Sequence, residues 1–333
     1  ELNRDISVSI INQYRRDIDH DIKIFDAFGG TGIRGARYSK EIPGVEEVTV
    51  GDVNPCAVKI AQDNMKLNGL DNVTVEKNDA NIMLQSNKGL FDVVDIDPFG
   101  TPSMFLQSTA ANIRPGGLIC ISATDTSALC GTYHDPCFRK YGAQPQKTEY
   151  CHENGIRILI ASIARNLAVN QKYMEVLFSH STEHYMRVYG IVKRGSKKTN
   201  ESLDNIGFIA HCPNCLHREY SYGYAPHLPE CCPECGEKYD IAGPLWLGSI
   251  WDKDFIKRTM DSLVELKLNK KDEVLKLLGQ CYDEAEGPVS FYDIHKICKK
   301  LKISSPKIND VMDEIANRGY FISRTHFKLT GMR

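Results

Sequence analysis

Residues 24–38, IFDAFGGTGIRGARY, leave little freedom to whatever folds around them. An apolar run (Ile22, Ile24, Phe25) stops at Asp26, a turn follows that carries Gly29, Gly30, Gly32 and Gly35, and the chain then turns helical. This is the pattern of strand, glycine turn and helix. Glycine lets a backbone take positive φ and approach a ligand closely, and a helix N-terminus presents N–H groups without internal partners. A nucleotide-like cofactor is expected across this turn, with Gly30 among the residues that bind it.

Two cofactor classes compete. Gly30, Gly32 and Gly35 fit a dinucleotide fingerprint, with Asp52 placed to hold a ribose, and that would make a NAD-dependent dehydrogenase. The turn, however, starts one residue early, as Asp26-x-Phe28-x-Gly30-x-Gly32, and a carboxylate at the strand end suits a cationic ligand better than a pyrophosphate. Further along, strand signals at 48–51, 73–76, 91–96 and 117–123 alternate with helical ones, including a helix from Pro55 to about Leu67. That alternation predicts a doubly wound parallel sheet with ligands at the carboxyl ends of its strands. Asp26, Asp52, Asp79 and Asp97 all fall at such ends. Two β-rich runs, 173–178 and 185–193, are joined by a short polar stretch and read as an antiparallel hairpin. A parallel sheet closed in this way resembles the S-adenosylmethionine-dependent class I methyltransferase fold, a Rossmann-like α/β architecture.

Each acid then has a task. Asp52 accepts the ribose hydroxyls, Asp79 and the Ala80 backbone bracket the adenine edge, and Asp26 offsets positive charge near the sulfonium. The bland alternative is a set of helix-capping carboxylates. Asp97-Pro98-Phe99-Gly100 resembles the loop of methyltransferases that act on exocyclic amines of bases. Such an amine is a poor nucleophile because its lone pair is delocalised into the ring. A carboxylate that accepts its N–H bond frees the lone pair and can take the proton. Asp97 is expected in that role, with Phe99 as a stacking face for an extruded base and Phe28 and Pro98 on the substrate side.

Three segments together, Asn3-Arg4-Asp5-Ile6-Ser7, residues 26–34 and Asp97-Pro98-Phe99-Gly100-Thr101-Pro102, resemble the tRNA (guanine-26, N2)-dimethyltransferase family. The resemblance spans nearly the whole chain. It implies transfer of one or two methyl groups to guanine N2 in tRNA, with Arg4, Arg34, Asp52, Asp79 and Ala80 on the cofactor and Asp97 as the catalytic acceptor. For Arg4 the resemblance is the sole ground.

Composition is permissive. With 333 residues, 42% hydrophobic, 25% charged and a net charge of -2, nucleic-acid binding has to come from local basic patches. No apolar run approaches the ~20 residues of a membrane span, and no signal peptide is evident, so a cytoplasmic, monomeric protein is expected. The chain opens at Glu1 rather than Met, which leaves room for residues ahead of it. Twelve cysteines include two C-x-x-C pairs, Cys212/Cys215 and Cys232/Cys235, that enclose residues 216–231. That spacing predicts a four-thiolate structural zinc site, with Cys231 as a rival for Cys232.

Residues 124–154 read as a long polar loop in which Arg139, Lys140, Tyr141 and Lys147 suit RNA. Past Pro244, helical patterns at 252–268, 272–284, 291–301 and 305–317 and two short β-runs near a basic C-terminus look like a winged helix. The expected organisation is a methyltransferase domain at 1–196 and a tRNA-binding α+β region at 197–333, divided into a zinc segment (208–240) and a winged-helix-like segment (245–333). Methylation of DNA adenine or rRNA guanine remains open, as does a module that senses cofactor without chemistry.

Overall fold

The structure, a computed structural model, describes residues 1–225 and 227–333. Its centre is a seven-stranded sheet: β1 (Ile22–Asp26), β2 (Val45–Asp52), β3 (Val73–Lys77), β4 (Val93–Ile96), β5 (Leu118–Ala123), β6 (Lys172–Thr182) and β7 (Tyr185–Arg194), in the order β3-β2-β1-β4-β5-β7-β6. The first five strands run parallel, and β7 is antiparallel to both β5 and β6. The hairpin expected from 173–193 closes the sheet. Strands covered on both faces need continuous apolar runs, and β4 and β5 are buried at every position.

Helices α1 (Leu2–Arg16), α2 (Ile33–Glu41) and α3 (Pro55–Asn68) cover one face, while α4 (Ala80–Ser86), α5 (Ser103–Asn112) and, after two short helices α6 (Thr126–Leu129) and α7 (His134–Tyr141), α8 (Cys151–Ala168) cover the other. Local chemistry sets the ends of α3. Asn54 caps it by accepting from Cys56 N at 2.9 Å, Pro55 sits in its first turn, and Gly69 ends it in the left-handed region at φ 63°. Residues 124–154, expected as an irregular loop, contain α6 and α7. Tyr141 there is buried rather than RNA-facing, because its hydroxyl bonds Asp125 and Thr101.

Helix α1 is a core helix: Asp5 through Tyr14 are all buried. Its polar residues hide this from a pattern search, yet they are satisfied inside. Ser9 donates to Asp5 O, and Asp5 pairs with Arg37 and accepts from Lys270 N.

Beyond α9 (Ser196–Leu203), a three-stranded sheet in the order β10-β8-β9 is built from β8 (Ile206–His211), β9 (Arg218–Tyr222) and β10 (Asp240–Trp246). It packs β10 on α8. The expected helix at 252–268 stops at Ser262 as α10 (Lys253–Ser262), followed by a 3-10 turn (Leu263–Glu265), and α11 (Lys271–Glu284) comes next. One hydrophobic core runs from Ile24, Val94 and Ile121 of the large sheet to Ile209, Trp246, Phe255 and Leu278. The chain ends with β11 (Tyr292–Asp293), α12 (Ile294–Leu301), α13 (Ile308–Asn317), β12 (Arg324–Thr325) and β13 (Lys328–Met332), the strands ordered β11-β13-β12. Two helices before an antiparallel ribbon, around a small core of Ile294, Cys298 and Met332, make the winged-helix arrangement.

Candidate active site

Strand order reverses between β1 and β4, and at that switch point a doubly wound sheet opens a crevice at the carboxyl ends of its strands. Asp26 ends β1 and pairs in register with Asp95 of β4. Asp97 lies two residues beyond Asp95 and so shares its face. Three carboxylates therefore meet at one point of the sheet. They are answered by two guanidinium groups. Arg187 of β7, wholly buried, donates twice to Asp95 at 2.8 Å, to Ser122 Oγ at 2.5 Å and to Tyr189 OH at 2.8 Å, and lies 3.6 Å from Asp97 Oδ1. Arg34, in the first turn of α2, pairs with Asp97 Oδ2 and reaches Ser7 Oγ at 3.1 Å and Asn3 Oδ1 at 3.4 Å. Tyr38 OH donates to Asp95 Oδ2 at 2.5 Å.

This network sets the protonation of the acids. Burial pushes Asp97 up, but the guanidiniums of Arg34 and Arg187, with a hydrogen bond from Ser122, outweigh it and hold the group below the ordinary carboxylate range. Its side chain keeps 21% exposure, so a ligand can reach it. Asp26 behaves oppositely. It is fully buried, neither carboxylate oxygen has a well-formed hydrogen bond among the described residues, and burial followed by repulsion from Asp95 outweighs Arg34 and the Phe28 backbone to push it up to about 7. In this structure Asp26 is a floor beneath the crevice rather than part of its wall.

The remaining cofactor candidates line the strand ends. Gly30 and Gly32 have φ of 53° and 77°, and a Cβ at Gly30 would meet nothing within 4 Å, so the turn leaves open space above it. A Cβ at Gly32 would collide with Met65 of α3. Asp52 Oδ2 accepts from Gly30 N at 2.9 Å and Oδ1 from Asn54 N at 2.8 Å, which ties the acid to the turn and leaves lone pairs outward. Asp79 Oδ1 caps α4, accepting from Asn81 N and Ile82 N, so the capping role is present; its Oδ2 has no protein partner among the described residues. Ala80 is buried beside it. Val53 and Ile82, next to these acids, are 63% and 53% exposed, a signal missed in the sequence because single apolar residues after a strand look ordinary. Arg4 pairs with Glu1 at 3.1 Å and lines a cavity against α2 with Arg37 and Lys40.

On the substrate side, Pro98 is buried and Phe99 fully exposed at 104%. The loop is held: Gly100 N donates to Thr124 Oγ1 at 2.6 Å, Thr124 N to Gly100 O at 2.9 Å, and Thr101 Oγ1 to Tyr141 OH at 2.9 Å. Phe28 is half-buried, edge-on to Phe105. Arg139 and Lys140 are exposed at the end of α7, where Lys140 pairs with Asp125 at 3.0 Å. Tyr133 and Phe138, at the start of and on the same helix, expose 60% and 64%.

The four cysteines converge. Cys212, Cys215, Cys232 and Cys235 have all their sulfurs within 4.8 Å, with Cys212–Cys235 at 3.4 Å and Cys215–Cys232 at 3.5 Å. A tetrahedron with ~2.3 Å metal–sulfur bonds has edges of about 3.8 Å, so the set fits one zinc-sized ion. The two knuckles repeat each other: Cys212 N bonds His217 O and Cys232 N bonds Glu237 O, and the residue after each second cysteine, Leu216 or Gly236, takes positive φ. Cys231 is exposed, outside the cluster, in an isolated bridge to Lys238.

A family model described as N2,N2-dimethylguanosine tRNA methyltransferase matches residues 1–333. The chain belongs to that family. A tRNA (guanine(26)-N(2))-dimethyltransferase of Methanosphaera stadtmanae is 80% identical over all of this chain and 85% of its own length, and that of Methanobrevibacter smithii is 50% identical over all of this chain and 86% of its own. The solved structure of Trm1 from Pyrococcus horikoshii with S-adenosyl-L-methionine superposes with a TM-score of 0.90 at 31% identity, covering 100% of this chain and 89% of that one. Membership of this tRNA methyltransferase family sets the dehydrogenase alternative aside. Among the described residues, no helix is long and apolar enough to cross a membrane.

Proposed function

We propose that the chain transfers one or two methyl groups from S-adenosylmethionine to the exocyclic N2 of guanine-26 in tRNA, with Asp97 as the group that accepts the N2–H bond and then the proton. The observation that carries this is a carboxylate held ionised by Arg34 and Arg187, partly open to solvent, next to a fully exposed Phe99 on a pinned loop. In this reading Asp52 binds the ribose hydroxyls, Asp79 Oδ2 and the Ala80 N–H bracket the adenine, and Gly30 leaves room for the chain between them. S-adenosylmethionine, when bound, supplies an electrophilic methyl carbon.

The chain's own residues do the rest. Phe99 stacks on the extruded guanine, with Pro98 stiffening the loop behind it. Asp97 accepts from N2, which localises the nitrogen lone pair toward the methyl donor. Once alkylated, the nitrogen is a strong acid, so even a carboxylate below its ordinary range takes the proton and passes it to water. One N–H remains after the first transfer, and the same contact serves a second. The four-cysteine cluster takes a structural zinc, its thiolates leaving no open position. The working unit is a single chain in the reducing cytoplasm, with its other cysteines as thiols.

The test is incubation with labelled S-adenosylmethionine and bulk tRNA, then nucleoside analysis. Label in N2-methyl- or N2,N2-dimethylguanosine is expected. Label confined to another nucleoside, or DNA preferred over tRNA, would overturn the assignment.

A further inference from the structure

A cavity of about 960 Å³ lies away from the crevice at the strand ends. One wall is α12 with its C-terminal cap, the second is residues 144–148, and the third is the first cysteine knuckle, at Pro213 and Leu216. Its lining carries Lys147, Lys296, Lys299, Lys300 and Lys302, against one carboxylate, Asp240. Lys296 shares Glu149 with Arg218, at 3.0 Å, and Lys300 Nζ donates to Pro213 O at 2.9 Å, which ties α12 to the knuckle. Lys147, Lys299 and Lys302 are exposed and have no carboxylate within ion-pair distance among the described residues.

Basic residues at a helix C-terminus are favoured by the helix dipole, which by itself accounts for Lys299. It does not account for Lys147, which comes from the opposite wall. Like charges brought together from separate elements around a concave space repel one another unless an anion sits between them. We infer that this cleft binds the sugar-phosphate backbone of the RNA substrate, with Lys147, Lys299 and Lys302 on its phosphates. The inference rests on the tRNA assignment above and adds to it a second contact site built from three parts of the chain.

The cleft is also wired to the catalytic loop. Tyr141 OH accepts from Thr101, four residues after Asp97, and Tyr141 ends the helix whose first residue, His134, lines the cleft. His134 Nδ1 and Gln144 Nε2 lie 2.8 Å apart, and Gln144 exchanges backbone hydrogen bonds with Gly243 of β10. Tyr141 and Gln144 are three residues apart, at most about 11 Å of chain, so the contact to Thr101 and the wall of the cleft belong to one short continuous segment. Phosphate contacts in the cleft fix register without reading sequence.

The test compares the full-length Lys147→Glu/Lys299→Glu variant with wild type and with Lys66→Glu/Lys276→Glu, which makes the same change in net charge on α3 and α11. Affinity for tRNA is measured across a sodium chloride series, alongside affinity for S-adenosylmethionine and the thermal midpoint. Losing two phosphate contacts should weaken binding about 20–60-fold near 0.1 M salt and lower the slope of log K against log salt by about 2. The α3/α11 control and Lys147→Arg/Lys299→Arg should both stay close to wild type. Equal losses in cleft and control variants, or an unchanged salt slope in the cleft variant, would overturn the inference while leaving the active-site assignment intact. Wild-type protein that neither binds nor methylates tRNA would overturn both.

Discussion

Arg187→Met tests the charge network beneath the crevice. Arg187 and Asp95 are both wholly buried and joined by two 2.8 Å bonds, so truncating the arginine leaves a carboxylate with only Tyr38 OH in contact and Arg34 at 3.6 Å. Breaking one side of such a pair costs about 3–5 kcal/mol, whereas removing both charges is far less harmful. Urea unfolding should therefore show Arg187→Met destabilised by about 3–5 kcal/mol, with Asp95→Asn/Arg187→Met recovering most of it. A second readout is chemical. Arg187 is one of the two cations that hold Asp97 below its ordinary range, so in Arg187→Met the acid limb of the pH–rate profile moves to higher pH. A single variant within about 1 kcal/mol of wild type, or an unmoved acid limb, would refute this account of the network.

Other outcomes follow from individual side chains. Phe99→Ala should leave the unfolding midpoint unchanged, because the ring is fully exposed, but lower kcat/KM for tRNA by about 5–150-fold, the worth of ~1–3 kcal/mol of base stacking. Asp26 is raised to about 7 by burial and Asp95, against ~4 in an unfolded chain, so the stability it contributes is complete below pH 4 and is lost as pH rises through 7. Across that window Asp26→Asn should gain on wild type by up to about 4 kcal/mol in chemical denaturation; parallel pH curves would contradict the shift. Protein purified without chelator should carry stoichiometric zinc by metal analysis, and Cys232→Ser should lose it while Cys231→Ser keeps it. The reverse pattern would reassign the ligand.

Much of this was legible in the sequence where one residue type does one thing. The glycine turn, the strand-end acids and the paired C-x-x-C knuckles depend on local geometry, and local geometry leaves local marks. The closing of the sheet followed from the hairpin at 173–193. What escaped are features made by distant residues. Arg187 looks like an ordinary strand residue until β7 carries it beside Asp95, and nothing in the polar residues of α1 marks it as buried, because the partners of Asp5, Ser7 and Ser9 lie elsewhere in the fold or back along its own turns. The segment at 124–154 lacks helical periodicity because α6 and α7 are short and held by tertiary bonds such as Tyr141 to Asp125. Asp26 shows the limit of position alone. It ends its strand as expected, but its carboxylate lies in the interior, and only its neighbours reveal that burial.

The rate of methyl transfer to tRNA by Asp97→Asn, measured with its affinity for S-adenosylmethionine, bears most directly on the proposed chemistry. The amide keeps the shape of the carboxylate but cannot take the proton. A fall of about 10²–10⁴-fold in kcat with cofactor affinity near wild type is predicted. A variant that turns over at close to the wild-type rate would remove Asp97 from the reaction.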